Sequence, residues 1–416
     1  MGTIHKALKL RIYPTLEQQT QIDKTLGSCR ALFNMMLYER KQAYEQLKDD
    51  KLKLYTHKYK TEKEYKEQFV WMQEVDSQAL QQSRINLMTA YANFYRGLKK
   101  KQNIGFPKFK KKKNSSSYRT IMTNNNIKID FSESKVKLPK LGWLSFRDKR
   151  NSFDGIIKSA TVSRTPTGKY FVSLLLEQEL ILKGQEISQQ LKAKTVGLDM
   201  SLEKLFVDNS GNSPAYERLY RKNEPKLKKA QRKMSKKRLG SKNWYKALHK
   251  VNLIHEIITN KRKDFTHKLS TELVRNYEVI VVENLSLKGM SQALNLGKSV
   301  MDLGYSSFVN QLSYKCLWNN KTLIEADKWF ASSKTCFKCG SKNQDLKLSD
   351  REWTCPNCGA VLSRDQNAGQ NLKNYGLREL GLGESEFKPV ESKTSVSGSL
   401  EISLDVEAGR SPVFSG

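Results

Sequence analysis

Two short cysteine pairs, Cys336-Phe337-Lys338-Cys339-Gly340 and Cys355-Pro356-Asn357-Cys358-Gly359, stand fifteen residues apart near the carboxyl end of the chain. Four thiolates at this spacing suit a tetrahedral zinc ion. Two residues between ligands let the backbone turn, and Gly340 and Gly359 admit the tight geometry after the second ligand of each pair. The chain between the pairs is long enough for a hairpin. The spacing therefore predicts a zinc ribbon over residues 335–360, and four thiolates leave no open coordination position, so its ion is structural. Four unliganded core cysteines are the plainer alternative, but they would not need the paired glycines. Cys29 and Cys316 lie on apolar helical stripes and read as small core residues.

The rest of the chain is constrained by charge. Lys and Arg number 74 against 42 Asp and Glu in 416 residues, a net charge of +32, and an excess of that size calls for a polyphosphate partner. No apolar run approaches the roughly 18 residues that span a bilayer. The first thirteen residues do not form the continuous apolar core of a signal peptide either, because Lys9 and Arg11 interrupt them. The expectation is a reduced, cytoplasmic protein, nucleoid-associated when bound to DNA, in which cysteines serve as ligands or core residues.

Residues 7–13 alternate, with Leu8, Leu10 and Ile12 on one side and Lys9, Arg11 and Tyr13 on the other, which predicts a half-buried strand ended by Pro14. Thr15 and Gln18 form a capping-box pattern, and Ile22, Leu26, Cys29, Phe33, Met36 and Leu37 then recur at helical spacing. Helices are expected to about residue 100. Residues 99–113 carry eight lysines interleaved with Ile104, Phe106 and Phe109, a composition that suits either a solvated face or nucleic-acid contact. Short strands between turns follow to about residue 190: 118–123, 127–129, 136–138, 143–146 and 170–176. These predict an antiparallel barrel or sandwich. If the first strand pairs with them, the helices between are an insertion into a β-domain.

From residue 195 the character changes. Residues 195–200 and 205–208 read as adjacent strands joined by a tight turn, followed by long helices over 215–276. Within these, residues 221–263 hold sixteen Lys or Arg and two acids, Glu224 and Glu256. Like charges on neighbouring helical turns repel, so a phosphate backbone lying along the helices is the simpler account of that density. Arg221, Lys222, Lys229, Arg232, Lys233 and Arg262 are the candidate contacts. A buried strand at 279–282, a polar loop at 286–300, an amphipathic helix through Phe308, Leu312 and Cys316, and a strand near Leu323 complete this half. Residues 376–416 reverse the charge and read as a disordered acidic tail.

Three acids flank the ribbon. Asp199 follows Val196 and Leu198 on a predicted strand, Glu283 ends the run Val279–Val282, and Asp365 opens a predicted helix. A strand-ending acid is by itself more often a turn or cap residue. Acids at the ends of buried strands are costly unless a cation compensates them, however. Three carboxylates converging from two strands and a helix would hold two magnesium ions about 4 Å apart for phosphodiester hydrolysis.

With these residues in place the chain resembles the TnpB family of transposon-encoded, RNA-guided nucleases, relatives of the type V CRISPR effectors. The motifs that carry the likeness are Gly197-Leu198-Asp199, Val282-Glu283-Asn284-Leu285 and Arg364-Asp365-Gln366-Asn367-Ala368, with the four-cysteine ribbon just before the third. Further matches are Leu26-Gly27-Ser28 with Arg30, Ala79-Leu80-Gln81, Gly105-Phe106-Pro107, Ser117-Tyr118-Arg119, residues 123–126, residues 138–142, and Asn260-Lys261-Arg262 with Asp264, Phe265 and His267. Together they run through nearly all of residues 4–375.

The resemblance implies an α+β multidomain protein. A wedge-like β-barrel (1–14 and 104–190) would carry a helical recognition insert (15–103). A RuvC-like, RNase H-type α/β nuclease domain (191–334 and 361–375) would then contain the zinc ribbon. It implies a guide RNA from the transposon end that pairs with double-stranded target DNA beside a short transposon-adjacent motif, the protein reading the motif and base pairing the rest. Gln81 and Thr123 match positions that touch the motif duplex in relatives, with Tyr118, Arg119 and Asn124 near them. Ser77 replaces a lysine of a relative, so the motif bases do not transfer. Met200-Ser201, Ser363 and Gly369 depart from the usual pattern, but none removes a ligand. Guided repressors related to TnpB lose one or more of the three acids, and all three remain here. The expected activity is magnesium-dependent DNA cleavage. The alternatives are an inactive guided DNA-binding regulator and an RNA-binding partner of a transposase. The five histidines include no His-x-His pair, so the metal-dependent tyrosine transposase reaction lacks its ligands.

Overall fold

In the computed structural model the alternation at the start of the chain is a twelve-residue strand, β1 (Gly2–Tyr13), with Ile4, Leu8, Leu10 and Ile12 buried. The structure describes residues 2–112, 116–180, 188–293, 296–347 and 349–382, in two units that divide after Leu180. Of the expected tail at 376–416, residues 376–379 instead continue the last helix, with Gly376 and Leu377 buried, and residues 383–416 lie outside the described residues.

In the first unit β1 is followed by α1 (Leu16–Leu47), α2 (Lys51–Thr56), α3 (Glu62–Gln68) and α4 (Ser77–Lys99). The expected capping box starts α1: the Thr15 hydroxyl accepts the Gln18 N–H and the Gln18 side chain accepts the Thr15 N–H. Strands β2 (Ser117–Ile121), β3 (Lys128–Asp130), β4 (Lys135–Leu138), β5 (Gly142–Arg147), β6 (Ile156–Arg164) and β7 (Tyr170–Leu180) then join β1 in one antiparallel sheet. Its order is β2-β6-β7-β1-β5-β4-β3, so β1 sits in the middle, paired with β7 over eleven residues and with β5 over three. Helices α1, α3 and α4 contribute buried residues to one core with this sheet, containing Leu26, Phe33, Tyr65, Leu80, Val136 and Leu174, whereas α2 buries none. The expected barrel is corrected. Strands β2 and β3 stand at opposite edges without pairing, because β2 packs against α4 and α1 and β3 is only three residues long.

The second unit contains α5 (Ser188–Ala193), β8 (Thr195–Ser201), β9 (Leu205–Asp208), α6 (Leu219–Ser235), α7 (Lys242–Asn276), β10 (Val279–Glu283), α8 (Leu287–Ala293), α9 (Gly297–Leu303), α10 (Tyr305–Trp318), β11 (Thr322–Ala326), β12 (Glu352–Thr354), β13 (Val361–Ser363) and α11 (Arg364–Glu379). Two short helices, α8 and α9, occupy the expected polar loop. The central sheet runs β11-β10-β8-β9, with β11, β10 and β8 parallel and β9 antiparallel to β8. Parallel strands are covered on both faces and read as apolar runs; Val279–Val282 are all at most 1% exposed. No helix among the described residues is long and apolar enough to cross a membrane.

Candidate active site

Along β8 the residues Thr195 to Leu198 are buried, and Asp199 is the first to reach partial exposure; on β10 the same change comes at Glu283. The parallel register pairs Val196 with Ile280 and Leu198 with Val282, and one further step sets Asp199 beside Glu283. Both acids thus stand at the carboxyl ends of neighbouring parallel strands, where open α/β sheets bind their ligands. The third comes from α11, which lies directly on β8. A Cβ on Gly197 would fall 2.1 Å from the Gly369 carbonyl oxygen and 2.5 Å from the Lys373 nitrogen. Gly369 is equally confined, since a Cβ there would fall 2.8 Å from the Asn209 nitrogen, so this position has no room for alanine without a shift. That contact brings the first turn of α11, with Asp365, to the acids on the sheet.

The three carboxyls feel one another. Burial pushes the Asp199 carboxyl well above the usual carboxylate range, the charges of Glu283 and Asp365 push it further, and Arg364 opposes them. Burial also raises Glu283, against a hydrogen bond from Ser332, the Met200 N–H, Asp199 and Arg364. The Asp199 and Glu283 carboxyls face each other, and their interaction raises Asp199 while lowering Glu283, as for two acids sharing one site. Asp365 is less enclosed, with the Arg351 guanidinium 3.9 Å from Oδ1.

Residues outside the acids fix this geometry. The Ser332 hydroxyl, 5% exposed, donates to Glu283 Oε1 at 2.6 Å, and the Tyr305 hydroxyl donates to the Glu283 carbonyl at 2.9 Å. Two asparagines of α11 grip the segment that leads into the first cysteine. Asn367 accepts the Phe337 N–H at 3.0 Å and donates to the Thr335 carbonyl at 2.8 Å. Asn371 donates to the Ser332 and Thr335 carbonyls at 2.8 and 2.6 Å. The helix carrying Asp365 is thereby tied both to the serine that orients Glu283 and to the ribbon.

The ribbon cysteines meet as expected. All four sulfurs lie within 4.8 Å of one another, the closest cross-pairs being Cys336–Cys358 at 3.8 Å and Cys339–Cys355 at 3.5 Å. A tetrahedral zinc with thiolates at about 2.3 Å requires sulfur separations of about 3.8 Å, so the quartet fits one. The knuckles share a backbone pattern: Gly340 N–H to the Cys336 carbonyl and Gly359 N–H to the Cys355 carbonyl, with both glycines at positive φ. N–H donation from Ser341 and a bond from Asn357 lower the Cys339 thiol to about 6, while burial pushes Cys336 up to about 12. The hairpin differs from expectation: β12 and β13 flank the second knuckle, and a Thr335–Lys342 bridge flanks the first. Among the described residues the cysteine quartet is the one group of three or more His, Cys, Asp or Glu whose ligand atoms all lie within 4.8 Å of one another; Asp199, Glu283 and Asp365 do not meet that closely.

The candidate nucleic-acid contacts fare unevenly. Arg119 is exposed, its Nε donating to Ser159 Oγ at 3.1 Å. Thr123 and Asn124 sit on an exposed turn closed by the Asn126 N–H on the Thr123 carbonyl, with Asn124 and Asn125 both at positive φ, a type I′ geometry that asparagine tolerates. Gln81 lies on α4 in a groove with Lys63, Lys66, Ser77 and Gln78. Tyr118 is a correction. Strand alternation sends its ring into the core at 6% exposure, and burial raises its hydroxyl pKa. On α6, Lys229, Arg232 and Lys233 line an exposed groove with Pro225, Lys228 and Lys236. Arg221 reaches Ser299 Oγ at 2.7 Å, and Lys222 pairs with Glu217. Arg262 is half-buried. It turns toward Asp302, 3.7 Å away and only 2% exposed. Asp302 also accepts the Tyr220 N–H at 2.8 Å and the Arg221 N–H at 3.4 Å, so it caps α6 from outside the helix. Ser332, Asn371 and Asp302 carried no signal in the sequence, because their partners are 49, 36 and 82 residues away.

Three family models match the chain: one described as "Probable transposase" over residues 178–294, a "Cas12f1-like, TNB domain" over 305–372, and a "Helix-turn-helix domain" over 1–49. The last segment is here a strand followed by one long helix. A Streptomyces pristinaespiralis protein named "Putative RNA-guided DNA endonuclease" is 33% identical over 389 residues, covering 92% of each chain. InsQ of Escherichia coli K12, "Putative RNA-guided DNA endonuclease InsQ", is 29% identical over 398 residues, covering 91% of this chain and 94% of its own. Among solved structures, that of a Cas12f1-sgRNA-target DNA complex matches with a TM-score of 0.55 at 14% identity, covering 89% of this chain and 99% of that one. That likeness concerns the fold.

Proposed function

From the premise that the chain belongs to the TnpB family, we propose that it is a transposon-encoded, RNA-guided DNA endonuclease that cuts guide-matched DNA beside a transposon-adjacent motif, with Asp199, Glu283 and Asp365 as its catalytic carboxylates. The observation that carries the assignment is the Asp199–Glu283 pair, two acids packed against each other at the ends of parallel strands with a third on the facing helix. Buried like charges at that distance are held at a net cost unless a cation completes them. In this reading the second unit is a RuvC-like, RNase H-type domain over 191–334 and 361–375 with a zinc ribbon over 335–360. The first is a wedge-like domain (1–14 and 104–190) built on the open sheet, with a helical recognition insert (15–103).

Magnesium held by the three acids would supply an activated water and a Lewis-acid contact to the departing oxygen. The chain's own contribution is to hold the ligands ready. Ser332 fixes the Glu283 carboxylate, α11 presents Asp365 from its first turn, and a cation at the site would offset the burial and repulsion that bear on Asp199. Cys336, Cys339, Cys355 and Cys358 would hold zinc, whose part is to keep the ribbon folded beneath Asn367 and Asn371. Guide RNA and target DNA are engaged by exposed basic and polar residues, among which Gln81, Arg119, Thr123, Asn124, Lys229, Arg232 and Lys233 remain candidates. The test is cleavage of a guide-matched plasmid by protein copurified with its RNA. Asp199→Ala should abolish cutting and leave RNA and DNA binding intact. Unchanged cutting by that variant overturns the assignment, and wild-type protein that binds matched DNA without ever cutting it favours a guided regulator.

A further inference from the structure

Strand β11 ends at Ala326, which pairs with Glu283, and six residues later the Ser332 hydroxyl returns to Glu283 Oε1. Residues 327–331 are therefore a short loop with both ends fastened at a catalytic acid. Its interior is equally fixed: the Asp327 carboxylate accepts the Trp329 N–H at 2.8 Å, the Phe330 N–H bonds the Asp327 carbonyl at 3.0 Å, and the Phe330 ring packs 4.9 Å from that of Tyr375 on α11. Trp329, by contrast, points outward. At 82% exposure it is the most exposed tryptophan among the described residues, and the Lys328 ammonium stands 4.9 Å from its ring centroid.

An indole on an anchored loop loses its apolar burial with no loop motion to hide it, so the arrangement suits a flat ligand that arrives from solvent. A rigid aromatic face beside a cation is what a nucleobase with its phosphate requires. The distance fits as well. Three residues of chain from Ala326 span at most about 11 Å, and the neighbouring strand adds about 5 Å, which places the indole within a few nucleotides of a phosphate at the acids. We propose that Trp329, with Lys328 beside it, is a stacking platform for one base of the strand being cut, and so a positioning residue for cleavage. The proposal rests on the endonuclease reading.

Guide-loaded protein and matched DNA provide the test. Trp329→Ala should slow single-turnover cleavage about tenfold and Trp329→Phe should restore most of the rate, with both variants melting like wild type. In the wild type, moving an abasic analogue through the few nucleotides around the cut should find one position with a similar loss. At that position the abasic site and Trp329→Ala should not add. A second readout needs no cleavage: in the Asp199→Ala background, matched DNA should quench tryptophan fluorescence, and the added Trp329→Phe change should remove that component. Wild-type cutting by Trp329→Ala, additivity at every position, or equal quenching with and without Trp329 overturns the platform. If no preparation cuts DNA, the endonuclease reading falls, and the fluorescence comparison still decides whether a base stacks there.

Discussion

Asn367→Ala removes a side chain that is 1% exposed and joins α11 to the ribbon through two bonds, the Phe337 N–H received at 3.0 Å and the Thr335 carbonyl served at 2.8 Å. The Thr335 carbonyl keeps a bond from Asn371; the Phe337 N–H loses its acceptor inside the protein. Two net hydrogen bonds at about 1 kcal/mol each, plus the desolvation penalty of one stranded donor, give a loss of about 3 kcal/mol in the second unit. The four thiolates are untouched, so zinc content should remain one per chain. Asp365, two residues before Asn367, loses a fixed reference to the ribbon, and a displacement near 1 Å costs cleavage about 100-fold. Denaturant melts, zinc release by a thiol reagent and single-turnover cleavage together give the answer. A variant that is destabilised by about this amount, keeps its zinc and still cuts at the wild-type rate refutes the coupling between ribbon and catalytic helix.

Two further outcomes follow from the same neighbourhood and from the core behind it. Ser332→Ala deletes the 2.6 Å bond to Glu283, and the magnesium concentration for half-maximal cutting should rise about tenfold with DNA binding unchanged; an identical magnesium curve removes Ser332 from the machinery. Lys315 is lowered by burial to about 8 from the ordinary lysine value of 10.5, although its ammonium donates to the His267 carbonyl, Ser270 Oγ and Thr271 Oγ1, all at 2.7 Å. A depressed lysine pKa means folding favours the neutral form. The cost is thus present in full below pH 8 and disappears as pH rises toward 10.5. Urea melts at pH 7 and 9.5 should show wild type gaining on Lys315→Met by about 1 kcal/mol after screening by solvent. A gain in the opposite direction contradicts the burial argument.

What could be read from the sequence was whatever depended on neighbours in the chain. The knuckles, the capping box at Thr15 and the apolar runs before Asp199 and Glu283 are local patterns, and each stands where its pattern put it. Strand β6 escaped because a bulge between Ile157 and Ser159 breaks its alternation, leaving Ser159 and Ala160 buried side by side. Helices α8 and α9 have seven residues each, too short to form on propensity alone. Tyr118 entered as a neighbour of the matched motif positions and Arg262 as one of a dense run of basic residues, and neither signal reports the direction of a side chain. One faces inward by strand parity, and the other is turned by an aspartate 40 residues away.

The distribution of compensating charge within the site bears on why cleavage should need a cation and not merely tolerate one. Glu283 has a hydroxyl and an N–H directed at it, and Asp365 has the start of α11 and Arg351. Asp199 has none of these; burial and two neighbouring acids raise it, and Arg364 opposes them. A fully compensated triad would hold three carboxylates in place and have little further affinity for positive charge. Leaving one acid short preserves that affinity where Asp199 and Glu283 meet. On the proposed reading, the fold supplies donors to Glu283 and Asp365, and Asp199 is the acid that a cation would complete.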